Sequence, residues 1–177
     1  MARVLVLTAR LKLAQSQIDK IEKDIKTALA ERVKSEERTK RRDLKILLSL
    51  PGFGSVTTAT ALGESGEAFE RRDYKALRSI SGAAPITKQS GGSRYVVMRQ
   101  SCQQRLRVAL HISALQAIRI DPKFHDLYVR ARARGHTVGH AIRNIVDRLL
   151  CLAVQLLRKQ ELYDINLRQL APAAAAL

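Results

Sequence analysis

From Val4 onward, apolar residues return every seven positions: Val4, Leu11, Ile18 and Ile25 form one column, and Leu7, Ala14, Ile21 and Ala28 form a second. A repeat of 3.5 residues draws a stripe along one side of a helix, and a stripe this long on an otherwise charged helix has to be covered. The spacing predicts a coiled-coil seam of four heptads, closed either by a second copy of the chain or by a helix from elsewhere. Beyond Ala28 the same columns hold Arg32, Ser35, Thr39 and Arg42, so the seam ends there. The helix, rich in Glu, Lys and Arg, is expected to continue to about residue 45.

The next constraint is Leu50-Pro51-Gly52-Phe53-Gly54 between an apolar helix end at Leu47 and a run of small residues from Ser55 to Leu62. Two glycines two apart allow a tight turn, and the amides that open the following helix are donors without intrahelical partners. Such a turn grips a phosphate through backbone N–H groups and the positive helix end without reading a base. The pattern predicts a helix-hairpin-helix, with Gly52, Gly54 and Ser55 on the nucleic-acid backbone. A plain glycine-rich interhelical turn is the alternative.

Charge bears on that choice. The 177 residues carry a net charge of +16 with a pI near 10.6. Between Arg71 and Arg107 there are nine Lys or Arg (71, 72, 75, 78, 88, 94, 99, 105, 107) and a single acid, Asp73. Such an excess points to polyanions, and phosphate is the obvious guest. Inside this window lies Pro85-Ile-Thr-Lys-Gln-Ser-Gly-Gly-Ser-Arg-Tyr95, a small-residue loop centred on Ser90, with a short extended piece at Tyr95–Met98 expected after it. The bland reading is a flexible loop beside a solvated basic face. The sharper one holds Ser90 up to solvent beside Gly91 and Gly92, with Lys88, Arg94, Arg99, Arg105 and Arg107 gathering phosphate around it. Ser81, Ser93 and Ser101 are competitors on residue type alone. Ser90 is preferred because it directly precedes the glycine pair.

Other chemistry is thinly supported. Cys102 and Cys151 make neither a disulfide framework nor a zinc spacing, which suggests a reducing, cytoplasmic compartment. His136 and His140 stand four apart with Gly139 between them and read as surface histidines, and Glu64, Glu67 and Glu70 read as a solvated acidic turn around Gly63 to Gly66. No metal or nucleotide cofactor is expected within the chain, and no apolar run is long enough to span a membrane. Phe69–Ile80 reads as a short helix with Tyr74, Leu77 and Ile80 inward and Arg71, Arg72, Lys75 and Arg78 outward. Leu106, Leu110, Ala114, Ala117 and Ile118 share a helix face, and Asp121-Pro122 starts a basic helix that stops at Gly135. Thr137 caps a last helix whose broad apolar face, Val138 to Leu157, is the candidate central wall of the core. The fold class expected is all-α: a long N-terminal coiled-coil helix, then a compact helical domain containing the helix-hairpin-helix.

Taken together, Leu50-Pro-Gly-Phe-Gly54, Tyr74-x-x-Leu77 with Ser81-Gly-Ala-Ala-Pro85, Gln89-Ser-Gly91, Arg105-Leu-Arg-x-Ala-Leu110 and Asp121-Pro-x-Phe124 with Leu127-Tyr resemble one family over roughly residues 44 to 164. It is the C-terminal transposase domain of the DEDD-type insertion-sequence transposases, RNA-guided serine recombinases that include the pilin-gene invertases. The resemblance implies that Ser90 is a nucleophile toward DNA. It also implies that a preceding RuvC-like domain holds four acidic ligands for a divalent metal, magnesium being expected, and that a coiled coil links that domain to this one. The family's Lys-Arg-Gly-Asn ahead of the Arg-Leu-Arg helix reads Gln100-Ser-Cys-Gln103 here. On this reading residues 1–45 are the linker helix, 46–168 the serine domain and 169–177 a disordered tail. The chain is then expected to be a truncated copy or an excised piece, inactive by itself. Its expected partners are DNA, a guide RNA and further copies through residues 4–28, in the nucleoid of a bacterial cytoplasm. The competing expectation is a non-catalytic DNA- or RNA-binding module that oligomerises through its coiled coil.

Overall fold

A computed structural model describes residues 2–35 and 38–165. Among them are seven helices, α1 (Ala2–Ser35), α2 (Arg38–Ser49), α3 (Ser55–Glu70), α4 (Tyr74–Ser81), α5 (Gln104–Ile120), α6 (Pro122–Ala133) and α7 (Val138–Lys159). Two strands, β1 (Ile86–Ser90) and β2 (Ser93–Val97), pair antiparallel. The fold is all-α apart from this one hairpin, as the periodicities predict. The 169–177 tail lies outside the described residues.

Helix α7 is the centre. Its buried face (Ala141, Ile142, Ile145, Val146, Leu149, Leu150, Leu152, Ala153, Val154 and Leu157) is walled by α2, α4, α5 and α6. Val138, expected on that face, is half exposed at the helix start. Leu106, Leu110, Ala114 and Ala117 of α5 fill the space between α7 and α3, and Phe124 anchors α6. Capping follows the sequence: the Asp73, Asp121 and Thr137 side chains accept from Ala76 N, Lys123 N and His140 N respectively. Gly82 and Gly135 end α4 and α6 at positive φ, where other residues are disfavoured. Asp121 is fully buried and also accepts a short hydrogen bond from the Tyr163 hydroxyl.

Three expectations are corrected. The Gly63–Gly66 stretch is not a turn: α3 runs through it, bent at Ser65 (φ −148°, ψ 26°), whose hydroxyl donates to Ala61 O at 2.7 Å. Only Tyr74 onward forms α4, because Asp73 caps it and Arg72 breaks the chain direction at φ 54°. Nor do Arg72 and Arg78 point freely outward. Arg72 meets Asp43 at 2.6 Å and Arg78 meets Asp147 at 2.6 Å, all with side chains a third exposed or less. Burying the arginine stems while pairing the heads ties α2 and α4 to the core. Tyr74 donates to the same Asp147, and burial with that neighbouring carboxylate pushes its ionisation well above the ordinary range.

Helix α1, 34 residues and about 50 Å long, meets this body at α3 and α2, with Ile25 and Leu29 in its C-terminal part half buried. Upstream, Val4, Leu7, Leu11, Ile18 and Ile21 are all exposed.

Candidate serine hairpin and nucleic-acid interface

The loop centred on Ser90 is a β-hairpin. Register pairs Ile86 with Val97, Lys88 with Tyr95, Gln89 with Arg94 and Ser90 with Ser93, leaving Gly91 and Gly92 as a two-residue turn. Gly91 alone of the two has positive φ, +57°, the pattern of a type II′ turn whose twist matches paired strands. The two glycines thus make the sharp turn that the sequence suggested beside Ser90, closing a paired hairpin and not the flexible loop of the alternative reading. Side chains alternate across a strand, so Ser90, Ser93, Lys88 and Tyr95 share one face. Ser90 and Ser93 are exposed, and the Ser90 hydroxyl has no hydrogen-bond partner among the described residues. Among the paired residues with described side chains, Ile86 and Val97, at the base, are the partly covered ones, and Tyr95 and Val96 stand exposed. A two-stranded ribbon with both faces open is marginal by itself, and this one projects from the body as an arm.

The other expected phosphate-binding residues divide into two groups. Gly52, at φ +79°, lies against α5: a Cβ there would come within 2.1 Å of the Ser113 carbonyl oxygen. Gly54 is exposed with nothing within 4 Å of an added Cβ, and it precedes Ser55 as the N-cap of α3 with no side chain capping the helix. The open end of α3 and the hairpin are therefore separate features. Arg105 is exposed on α5, 3.7 Å from Glu64 of α3. Arg107 faces the other way and is partly buried, its guanidinium against Gly82 and its Nη2 bonded to the Arg99 carbonyl. Arg99 follows β2, partly buried, where the chain leaves the hairpin. Lys88 is exposed on β1, and the Arg94 backbone belongs to β2.

Helix packing adds residues that sequence distance hid. His111 and Arg143, 32 positions apart, line one cleft with Arg107, Ser81, Gly82 and Met98, because α5 lies across α7 beside the α4 cap. Nothing in the local pattern around either residue marks it. At the start of α7 the His136 and His140 rings stack, 4.2 Å between centroids, and Asn144 bonds His136 Nδ1. Loss of hydration holds His140 below its ordinary value, with the His136 and Arg143 charges adding to it. Among the described residues no group of three or more His, Cys, Asp or Glu is placed to hold a metal, and no helix is long and apolar enough to cross a membrane.

The sequence is similar to those of insertion-element proteins. The chain is 34% identical over 131 residues to the insertion element IS900 uncharacterized 42 kDa protein of Mycobacterium paratuberculosis, covering 72% of this chain and 33% of that protein. It is 30% identical over 120 residues to the insertion element IS110 uncharacterized 43.6 kDa protein of Streptomyces coelicolor, covering 67% of this chain and 30% of that one. The chain thus spans about a third of the length of these relatives. The family match runs from Leu44, where the chain first enters the core, to Val129 in α6, so it encloses the glycine turn, the Ser90 hairpin and all of α5. Residues 44–129 match the family model described as the transposase of the IS116/IS110/IS902 family.

Proposed function

We propose that this chain is the DNA-binding, serine-bearing part of an insertion-sequence transposase, with Ser90 as the nucleophile. The observation that carries the reading is the hairpin: an exposed serine at an ordered glycine-turned tip, Lys88 on its face, inside the transposase-domain segment. In the reaction the Ser90 Oγ would bond to a backbone phosphorus as one bridging P–O bond breaks, the departing nucleotide oxygen taking a proton. Attack by a free nucleotide hydroxyl on the phosphoserine would then rejoin the strand and return the serine. A serine hydroxyl needs a base to take its proton and cations to steady the charge on phosphorus. Lys88, Arg94 and Arg99 are assigned the second role. The base and a divalent ion are assigned, following the family resemblance, to an acidic domain outside these residues.

DNA is held in this reading through phosphates, by the helix-hairpin-helix at Gly52–Ser55 and by Lys88, Arg94, Arg99, Arg105 and Arg107. The exposed α1 stripe associates copies as a coiled coil. A guide RNA would share the same basic surface. A purely binding module, without chemistry, is favoured by one observation: the start of α3 at Gly54 is open and has no side-chain cap, an arrangement suited to phosphate that does not involve Ser90.

Two measurements test this. Duplex affinity should fall with salt at a log–log slope of several units, and a flat dependence refutes phosphate binding. With the acidic domain fused, Ser90→Ala should abolish covalent protein–DNA adducts while duplex affinity stays within about twofold, since one exposed hydroxyl adds little to a charge-dominated interface. Adducts that persist in Ser90→Ala but vanish in Ser93→Ala assign the role to Ser93. Adducts that persist in both remove the serine mechanism.

A further inference from the structure

The fold pairs its inward-leaning arginines with carboxylates, Arg72 with Asp43 and Arg78 with Asp147, but breaks that rule in one place. Beneath the hairpin, where Ala83 enters it and Met98 leaves it, a cleft of about 170 Å³ is lined by Arg107, His111 and Arg143 over a floor of Gly82, Gly139 and Val146. No carboxylate among the described residues pairs with Arg99, Arg107 or Arg143. Arg143 Nη1 reaches only the Met98 thioether, at 3.4 Å. Arg107 uses Nη2 on the Arg99 carbonyl and Nη1 on Gln104 at 3.4 Å. The Nε atoms of Arg99 and Arg107 are buried with no hydrogen-bond partner. Arg78 Nε also lacks one, yet its charge is met by Asp147 at 2.6 Å. Partly buried cations without a counter-charge are costly to keep, and buried donors without acceptors add to the cost. An anion entering the cleft supplies a counter-charge to Arg107 and Arg143, the two arginines that line it.

We infer that this cleft is a phosphate-binding site, in which Arg107 and Arg143 hold one phosphate group and His111 meets its rim. The inference rests on the proposed DNA-binding function for its ligand: a single backbone phosphate, gripped at the base of the arm that presents Ser90. The cleft is too small for a nucleotide, being below the roughly 300 Å³ at which small-molecule pockets begin, and suited to one tetrahedral oxyanion. Arginine forks match phosphate oxygens in pairs, which a lysine does not. Gly82 makes the arrangement possible, because its ideal Cβ would lie 2.9 Å from Arg107 Nη2 and 3.0 Å from the Cys102 sulfur. The tip lies five strand residues above Met98, at most about 17 Å away, so a strand held in the cleft passes within reach of Ser90. Anchoring there would fix which phosphate meets the serine.

The test follows the His111 ring resonances of the full chain by NMR while inorganic phosphate replaces chloride at constant ionic strength. The expected result is a saturable one-to-one shift, weakened at least tenfold in Arg143→Gln, less so in Arg143→Lys, and unchanged in Arg119→Gln, an exposed arginine of α5 outside the cleft. A short duplex should displace phosphate and move the same resonances. No response to phosphate or duplex, or an equal response in Arg143→Gln, overturns the site, and steep salt dependence of duplex binding in that case leaves the proposed function standing. A saturable phosphate response that duplex neither competes with nor reproduces overturns the backbone ligand and assigns the cleft to a free oxyanion.

Discussion

Gly52→Ala separates what the glycine turn does for the fold from what it does for a ligand. Gly52 sits at φ +79°, and an alanine Cβ there would approach the Ser113 carbonyl oxygen to 2.1 Å. The left-handed backbone alone costs a non-glycine residue about 1–2 kcal/mol. Relief of the contact requires the turn and α5 to part by about 1 Å in a close-packed region, an overpacking cost of about 1–3 kcal/mol. The sum, about 3 kcal/mol, corresponds to a fall in Tm of about 10 °C for a chain of this size. Gly54→Ala is the internal control: φ is −78° and nothing lies within 4 Å of the added methyl, so stability should change by no more than about 0.5 kcal/mol. Thermal and urea unfolding followed by circular dichroism give both values, and the Gly52→Ala loss should appear as a shifted midpoint with an unchanged slope. Because Gly54→Ala leaves the fold intact, its duplex affinity reports the turn's approach to phosphate, and a few-fold loss is expected. A Gly52→Ala protein that melts within about 2 °C of wild type would refute the packing argument.

Other substitutions probe other elements. Leu11→Asp with Ile18→Asp, both on the exposed part of the α1 stripe, should leave the core intact and yield a smaller species in sedimentation; a wild-type chain that already sediments as a monomer refutes the association. Asp121→Ala removes a fully buried carboxylate that caps α6 and accepts from Tyr163, and should cost about 2–4 kcal/mol in urea unfolding, with a cost below about 1 kcal/mol contradicting the reading. His140 is held below its ordinary value of 6.5, so below that pH the unfolded chain binds more protons than the folded one. Stability is therefore complete above about pH 7 and declines as pH falls through 6.5, and wild type should lose more Tm than His140→Gln between about pH 7.5 and pH 5.5. Parallel profiles for the two proteins would reject this linkage.

Much of the frame was legible in the residues because its signals are local. Periodicity of 3.6 marks α5 and α7, Asp121 and Thr137 mark the starts of α6 and α7, and glycines mark the ends of α4 and α6, whereas the Asp73 cap of α4 was passed over by reading Phe69–Ile80 as one helix. The exposed stripe of α1 was legible for the same reason, since a repeat of seven is a property of the helix itself. Where intrinsic preference and packing disagree, the local signal fails. Gly63 and Gly66 suggested a turn, yet α3 continues through them because Ala61, Ser65, Ala68 and Phe69 are buried on one side and Ser65 bonds back to Ala61. The hairpin was half legible: Gly-Gly names the turn, but which residues pair across it depends on strands too short and too polar to announce themselves.

By itself the sequence determined the helical class, the long helix with its apolar stripe, the serine beside two glycines and the excess of positive charge, since each is a property of the chain and its near neighbours. Only the tertiary structure decided which cations are spent on the fold and which remain for a ligand. Arg72 and Arg78 meet carboxylates 29 positions back and 69 ahead, whereas Arg107 and Arg143 meet none among the described residues and line one cleft. The reason is physical: Coulomb attraction and burial act through space, and the packing of α5 and α4 on α7 sets those distances, which spacing along the chain does not.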